Sequence, residues 1–265
     1  MIQIETVRKE TFEMQFFRFG SGPRTYVILP GLSVQSVMAS AEAVAQAYAS
    51  FAEEYTIYVF DRRAALPPVY TVRDMARDTA EAMLALGLHD IYLFGASQGG
   101  MMAQVIAIEY PQLVRKLVLG STSSHIRPEQ EGVIREWIRL AQARDGVGLY
   151  LSFGQEIYPP EVFEQYRGAL TDAGKTVTEE EFERFIILAQ GMKDFNVTGE
   201  LHLIRCPVLV MGVYEDAVLD SDATMEIAEK LDETPGFRLF MYIGYGHAAF
   251  DTAPDYRRRI RDFFA

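Results

Sequence analysis

Cysteine, long apolar runs and an N-terminal export signal are what this sequence most clearly lacks. Only one of its 265 residues, Cys206, is a cysteine, so no intrachain disulfide can form. Cys206 begins the apolar stretch "CPVLVMGV", where a buried structural thiol is expected. No apolar run reaches the about 18 residues that a membrane-spanning helix requires, and "MIQIETVRKE" lacks the basic and apolar regions of a signal peptide. We therefore predict a cytoplasmic protein that does not bind a membrane.

Positive charge is also scarce. Lysine and arginine total 25 against 37 aspartates and glutamates, and the formal net charge is −12. Nucleic acids and anionic membranes attract clustered lysine and arginine, so the balance argues against either as a partner. The length suits one large domain, or one domain with a sizeable insertion.

Short apolar blocks alternate with helical segments along the first half of the chain. "TYVILPG", "TIYVFDRR" and "IYLFGAS" are typical of strands buried on both faces, and amphipathic stretches such as "TVRDMARDTAEAML" separate them. The N-terminal "MIQIETV" and "TFEMQFFRFG" alternate polar and apolar residues, which predicts a hairpin. The pattern predicts an α/β fold, with a mostly parallel central sheet flanked by helices.

This alternation stops after the sixth predicted strand. Residues 125–196 are helical in pattern and contain a capping box, Thr178 with Glu181. Two further strands, "CPVLVMGVY" and "FRLFMYIG", follow this stretch. We predict a core formed by residues 1–124 and 197–265, interrupted by a helical insertion over 125–196.

The pentapeptide Gly95–Gly99 is a G-x-S-x-G motif centred on Ser97. At average glycine and serine usage the bare pattern occurs in about one chain in ten, so its setting matters more than its letters. It lies between the predicted strand "IYLF" and the predicted helix "QGGMMAQVIAIEY". A sharp strand-to-helix turn lifts a serine hydroxyl clear of the sheet, so Ser97 is the candidate nucleophile.

A nucleophilic serine needs a base, and the chain has four histidines. We interpret His89, His125 and His202 as surface or structural residues. His247 instead follows the last predicted strand in the glycine loop "GYGHAAF". Open α/β sheets carry their functional groups at this end of a strand, so His247 is the candidate base.

The orienting carboxylate is sought after the strand "CPVLVMGVY". Asp216 completes the chain order serine, aspartate, histidine, and the neighbouring Glu215 stays open as the alternative. Asp220 and Asp222 are typical of the start of the following helix.

Two backbone N–H groups are predicted to hold an oxyanion, those of Gln98 and Leu32. Gln98 follows the nucleophile, and Leu32 follows the glycine of "YVILPG".

These motifs resemble those of the α/β-hydrolase fold, in particular a bacterial esterase-like member with a helical lid. The likeness covers most of the chain, through "VILPGL", "VFDRR", "GASQGG", "PVLVMGVYED" and "GYGHAAF". It implies a triad of Ser97, Asp216 and His247 and a lid over residues 125–196. The sequence departs from the family pattern at Pro30, where a histidine is usual. It also departs at "FDRR", which replaces D-x-R-G-x-G and predicts a differently shaped loop.

The expected activity is hydrolysis of a small or medium carboxylic ester through an acyl-enzyme, without metal or cofactor. Cleavage of C–C bonds, lactones or amides, acyl transfer, and a low-turnover ligand receptor stay open, because fold does not select among them. Trp137, Met192 and Phe195 are candidate substrate contacts in the lid. The partner is a small acyl substrate, and the protein is predicted to be a monomer or a homodimer.

An aminopeptidase would need lid carboxylates that grip an α-amine. Glu179, Glu180, Glu181 and Glu183 are available in the lid, but a capped, solvated helix start explains them better.

Overall fold

Eight strands form one central sheet in the structure, a computed structural model that describes residues 2–265. The strands are β1 (Ile4–Arg8), β2 (Glu13–Phe19), β3 (Arg24–Leu29), β4 (Tyr55–Arg63), β5 (Ile91–Ala96), β6 (Val114–Gly120), β7 (Val208–Val213) and β8 (Arg238–Tyr242). Their spatial order is β1-β2-β4-β3-β5-β6-β7-β8.

The sheet is mostly parallel, as predicted. β2 pairs antiparallel with both β1 and β4, and every other pairing is parallel. All six residues of β5 and all six of β7 are buried, which explains why these strands are continuous apolar blocks. Because these strands pair in parallel, the carboxyl ends of β3, β5, β6, β7 and β8 lie at the same edge of the sheet.

Ten α-helices accompany the sheet within the described residues. They are α1 (Ala41–Ala47), α2 (Val72–Ala85), α3 (Gln98–Glu109), α4 (Pro128–Gln142), α5 (Gly146–Ile157), α6 (Pro160–Gly174), α7 (Glu179–Gln190), α8 (Asp220–Leu231), α9 (Ala249–Thr252) and α10 (Tyr256–Phe264). The predicted capping box of Thr178 and Glu181 begins α7. Among residues 2–265, no helix is both long and apolar enough to cross a membrane.

Two apolar clusters pack against opposite faces of the sheet. Alternate residues of β3 show the division, because Val27 and Leu29 belong to one cluster while Tyr26 and Ile28 belong to the other. Helices α2, α3 and α8 contribute to the first cluster, and α10 contributes to the second. The sheet is therefore covered on both sides.

Helices α4 to α7 lie between β6 and β7, in the stretch predicted as an insertion. His125 and Asn196, the predicted limits, form an antiparallel bridge. Beside it, the N–H of Val197 donates to the carbonyl of Ser124 at 2.8 Å. The chain thus leaves and rejoins the core at one point. That this helical insertion acts as a lid stays a prediction.

Candidate active site

Ser97 occupies the turn between β5 and α3. Its backbone is left-handed, with φ 53° and ψ −124°, a conformation rare for a residue with a side chain. The N–H of Ser97 donates to the carbonyl of Gly120 at 2.9 Å, and its carbonyl accepts from Thr122 Oγ1 at 2.7 Å. The end of β6 therefore holds the strained turn in place.

The glycines of the motif allow this turn to pack against neighbouring backbone. A Cβ on Gly95 would lie 2.2 Å from the carbonyl oxygen of Gly99. A Cβ on Gly99 would lie 2.0 Å from the carbonyl oxygen of Leu29, at the end of β3. Both separations are far shorter than a carbon–oxygen contact permits, so only glycine fits at these positions.

His247 and Asp216 form a buried pair at the ends of β8 and β7. His247 Nδ1 lies 2.8 Å from Asp216 Oδ2 and 2.9 Å from Oδ1. Oδ1 also accepts from the N–H groups of Val218 and Leu219 at 2.9 and 3.0 Å. Burial acts to raise the pKa of Asp216, but His247 and these two donors outweigh it and hold the pKa below its ordinary value.

The structure separates Asp216 from the other carboxylates of this loop. Glu215 points away from His247 and accepts from the N–H of Gly244 at 2.9 Å, where it holds the turn that precedes the histidine loop. Asp220 begins α8 and accepts from the N–H of Ala223 at 2.8 Å. Only Asp216 is in a position to orient the imidazole.

The two predicted oxyanion donors lie beside Ser97. Gln98 is the first residue of α3, so its N–H has no acceptor within the helix. Leu32 lines the same cavity as Ser97, and a Cβ on the preceding Gly31 would lie 3.2 Å from Ser97 Cβ. Both residues thus lie beside Ser97, and the binding of an oxyanion by their N–H groups stays a prediction.

A buried arginine that the sequence analysis did not single out connects these parts. Arg62 Nη2 donates to the carbonyl of Pro30 at 2.9 Å, to that of Gly31 at 3.4 Å and to Gln98 Oε1 at 2.7 Å. Gln98 Nε2 in turn donates to the carbonyl of Leu188 in α7 at 2.8 Å. Arg62 therefore ties the segment before Leu32 to Gln98 and, through Gln98, to the insertion.

Asp61 provides the countercharge for this cation. It accepts from the backbone N–H of Arg62 at 2.7 Å and also binds Arg184 of α7 and the hydroxyl of Ser36. Burial lowers the pKa of Arg62 to about 10, so the guanidinium stays protonated near neutral pH. "FDRR" ends β4, as the predicted strand "TIYVFDRR" implied, and the charged residues Asp61 and Arg62 at the end of this apolar strand were the available signal.

Ser97 and His247 open onto one cavity of about 450 Å³. This volume falls in the range of small-molecule sites. Most lining side chains are apolar, and the helical insertion supplies many of them: Ile134, Trp137, Tyr150, Phe153, Ile157, Leu170, Ala173 and Met192. Within residues 2–265 no hydrogen bond joins Ser97 to His247. Such catalytic contacts are often long in free enzymes and shorten when substrate binds.

Of the three substrate contacts predicted in the lid, two line the cavity and one does not. Trp137 and Met192 line the cavity, and the Trp137 ring packs on Phe153 with centroids 4.4 Å apart. Phe195 does not line it. It packs in the apolar core at the base of the insertion, where its carbonyl accepts from the N–H of Ile126 at 3.1 Å.

The remaining histidines lie outside the cavity. His89 and His202 are exposed, and His125 Nδ1 contacts Glu226 at 3.0 Å and Thr198 at 3.2 Å. In the described part of the chain, no group of three or more histidine, cysteine, aspartate or glutamate side chains could hold a metal ion.

A family model and a solved structure each match most of this chain. The family model described as "alpha/beta hydrolase fold" matches residues 28–254. A solved structure, "MGS-M2, an alpha/beta hydrolase enzyme from a Medee basin deep-sea metagenome library", superimposes with a TM-score of 0.87 at 18% identity. The match covers 98% of this chain and 97% of that one.

Two curated relatives have different chemistry in their names. "Putative carbamate hydrolase RutD" of Caulobacter sp. (strain K31) is 26% identical over 190 residues, which is 70% of this chain and 69% of the relative. Homoserine O-acetyltransferase of Deinococcus radiodurans is 26% identical over 216 residues, 74% of this chain and 64% of the relative.

Proposed function

Because this chain belongs to the α/β-hydrolase fold family, we propose that it is a serine hydrolase that cleaves small or medium carboxylic esters. The observation that carries the proposal is the convergence of three strand ends on one cavity. Ser97 projects from a strained turn, His247 is oriented by buried Asp216, and both Ser97 and His247 line the same apolar space.

The proposed reaction passes through an acyl-enzyme. Ser97 Oγ attacks the ester carbonyl while His247 Nε2 accepts the hydroxyl proton, and the N–H groups of Leu32 and Gln98 bind the oxyanion. The tetrahedral intermediate collapses, the C–O bond breaks, and His247 returns the proton to the departing alkoxide. A water molecule then repeats the attack on the acyl-enzyme and releases the acid. Asp216 stays ionised and stabilises the imidazolium in both halves.

The helical insertion is proposed to act as a lid with a binding role. Its side chains form much of the apolar wall, and Gln98 and Asp61 join α7 to the catalytic core. An apolar wall next to the nucleophile favours an acyl chain of modest length, because burying each methylene contributes about 0.8 kcal/mol. This composition supports an ester before a highly charged substrate.

A covalent probe tests the nucleophile directly. After incubation with a fluorophosphonate, mass analysis of the wild type should show one adduct on Ser97, and Ser97→Ala should show none. An unlabelled wild type, or an adduct elsewhere that survives in Ser97→Ala, would contradict the proposal.

A substrate panel then tests the bond. p-Nitrophenyl esters, lactones, amides, carbamates and diketones are compared, with and without an added alcohol as acyl acceptor. We expect ester hydrolysis to have the highest kcat/KM. Faster transfer to alcohol would favour an acyltransferase, and labelling of Ser97 without turnover of any substrate would favour a ligand receptor.

A further inference from the structure

One charged side chain stands out in the lining of the catalytic cavity. Among the lining residues in the described chain, Asp251 is the only aspartate, glutamate, lysine or arginine. It lies in α9, four residues after His247, and Phe250 beside it contacts the His247 ring edge-on at 6.2 Å. A lone carboxylate in a mostly apolar cavity is poised to bind a group of substrate that carries positive charge.

The Asp251 carboxylate has no partner within residues 2–265. No hydrogen bond or ion pair joins it to another residue of that range, although the charge of Arg257 acts on it. The Arg257 guanidinium instead lies over the Tyr48 ring, 5.1 Å from its centroid. The Asp251 side chain is exposed to solvent and lines the cavity, so its unpaired carboxylate is accessible to a ligand.

An aromatic ring faces the same space. Tyr158 ends α5 and lines the cavity, and the adjoining carbonyl of Ile157 accepts from the N–H of Ala248 at 2.9 Å. This contact places Tyr158 beside α9. Burial raises the pKa of Tyr158, and the charge of Asp251 raises it further, which reflects their proximity. A carboxylate next to a tyrosine ring is a combination that binds ammonium groups, through an ion pair and a cation–π contact.

We infer that Asp251, with Tyr158, forms a specificity subsite for a protonated amine on the substrate of the proposed hydrolase. This inference rests on the proposed function and names its substrate class: esters that carry an alkylammonium group. The lid glutamates do not compete for this role, because Glu179 and Glu183 pair with Arg144 at the surface and Glu181 caps α7. The net charge of −12 also favours the approach of a cation.

Keeping this carboxylate ionised has a cost in the folded protein. The Asp251 side chain is exposed to solvent, but the protein atoms that lie around it raise the pKa of its carboxyl, and the charge of Arg257 partly offsets the effect. A neutral residue would avoid this penalty. A group that is unfavourable for folding and faces the catalytic cavity is typical of a functional site.

Binding without turnover tests the subsite. Dissociation constants for n-hexylammonium and for neutral 1-hexanol are measured by calorimetry on the wild type, Asp251→Asn and Asp262→Asn. Asp262 is exposed in α10, so its variant has the same change of net charge outside the cavity. We expect Asp251→Asn to raise the dissociation constant of hexylammonium about tenfold and to change that of hexanol by less than about twofold. Asp262→Asn should change neither.

Equal losses for both probes would show that Asp251 has only a structural role, and an unchanged hexylammonium affinity would overturn the subsite. If Asp251→Asn does not fold, Asp251→Ser replaces it with the same expectations. Turnover supplies a second arm, in which p-nitrophenyl ω-aminohexanoate should lose about tenfold more kcat/KM in the variant than p-nitrophenyl heptanoate. Hexylammonium binding with no fluorophosphonate adduct on Ser97 would reject the proposed function but keep the subsite.

Discussion

Removing the Arg62 guanidinium should uncouple the oxyanion segment from the nucleophile turn. Arg62 donates to Pro30 and Gly31, which precede the proposed oxyanion donor Leu32, and to Gln98, the second proposed donor. Arg62→Met keeps most of the apolar volume of the side chain and removes every donor. We therefore expect Arg62→Met to fold, with the two oxyanion donors no longer held in register.

The size of the effect can be worked from these contacts. Two of the three hydrogen bonds are short, and a bond to a charged group contributes about 1.5–3 kcal/mol. The two bonds together contribute about 3–6 kcal/mol, and relief from burying a cation offsets a minor part of their loss. We expect a net loss of about 2–4 kcal/mol in the free energy of unfolding, which a domain of ordinary stability survives. If one oxyanion donor is misaligned, the rate of acylation should fall about 100-fold.

The assay is the second-order rate of fluorophosphonate labelling of Ser97, with urea unfolding measured on the same samples. Arg63→Met is the matched control, because Arg63 also makes several hydrogen bonds, to Thr11, Ala65 and Asp78, but none to the oxyanion segment. It should lose stability and keep its labelling rate within about threefold. A folded Arg62→Met variant that is labelled as fast as the wild type would refute the reasoning. An equal loss of labelling rate in Arg63→Met would refute it too.

Three further predictions concern other positions. Asp216→Asn should lower kcat about 10⁴-fold in a folded protein, because the amide stabilises the wrong imidazole tautomer; a loss under about tenfold would contradict its assignment. Gly99→Ala should destabilise the protein and slow labelling, since its Cβ would meet the Leu29 carbonyl, whereas Gly168→Ala on α6 meets nothing within 4 Å and should raise the melting temperature. The pKa of the Asp251 carboxyl is raised on folding, so its ionised form destabilises the folded state. This loss of stability is absent below about pH 4 and complete once the pH exceeds the pKa in the folded protein. Asp251→Asn should therefore raise the free energy of unfolding at about pH 7 and not at about pH 3.5, and equal gains at both would oppose this account.

The choice between Asp216 and Glu215 shows where sequence reasoning reached its limit. The two are adjacent at the end of β7, and both are carboxylates at a plausible distance along the chain from His247. Successive residues beyond a strand point in different directions, so one meets the imidazole and the other meets the Gly244 N–H. Only the packing of β7 against β8 distinguishes them.

The residues that line the cavity could not be predicted from the sequence either. Trp137 and Phe195 are both large apolar residues of the insertion, and nothing in their local sequence separates a cavity wall from a core position. The sequence gives no signal for Asp251, because a single aspartate in "AAFDTAP" has no pattern around it. Its place beside Tyr158 depends on how α5 meets the histidine loop, and the two residues are far apart in sequence.

The sequence by itself determined the alternation of strands and helices, the presence of a helical stretch between β6 and β7, and the placing of Ser97 in a strand-to-helix turn. These features depend on apolar periodicity and turn chemistry, which neighbouring residues encode. Tertiary structure alone decided that Arg62 holds Pro30 and Gly31, that Asp216 faces His247, and that Asp251 lines the cavity. Each of these depends on contacts between distant segments, whose geometry is set by the packing of the whole domain.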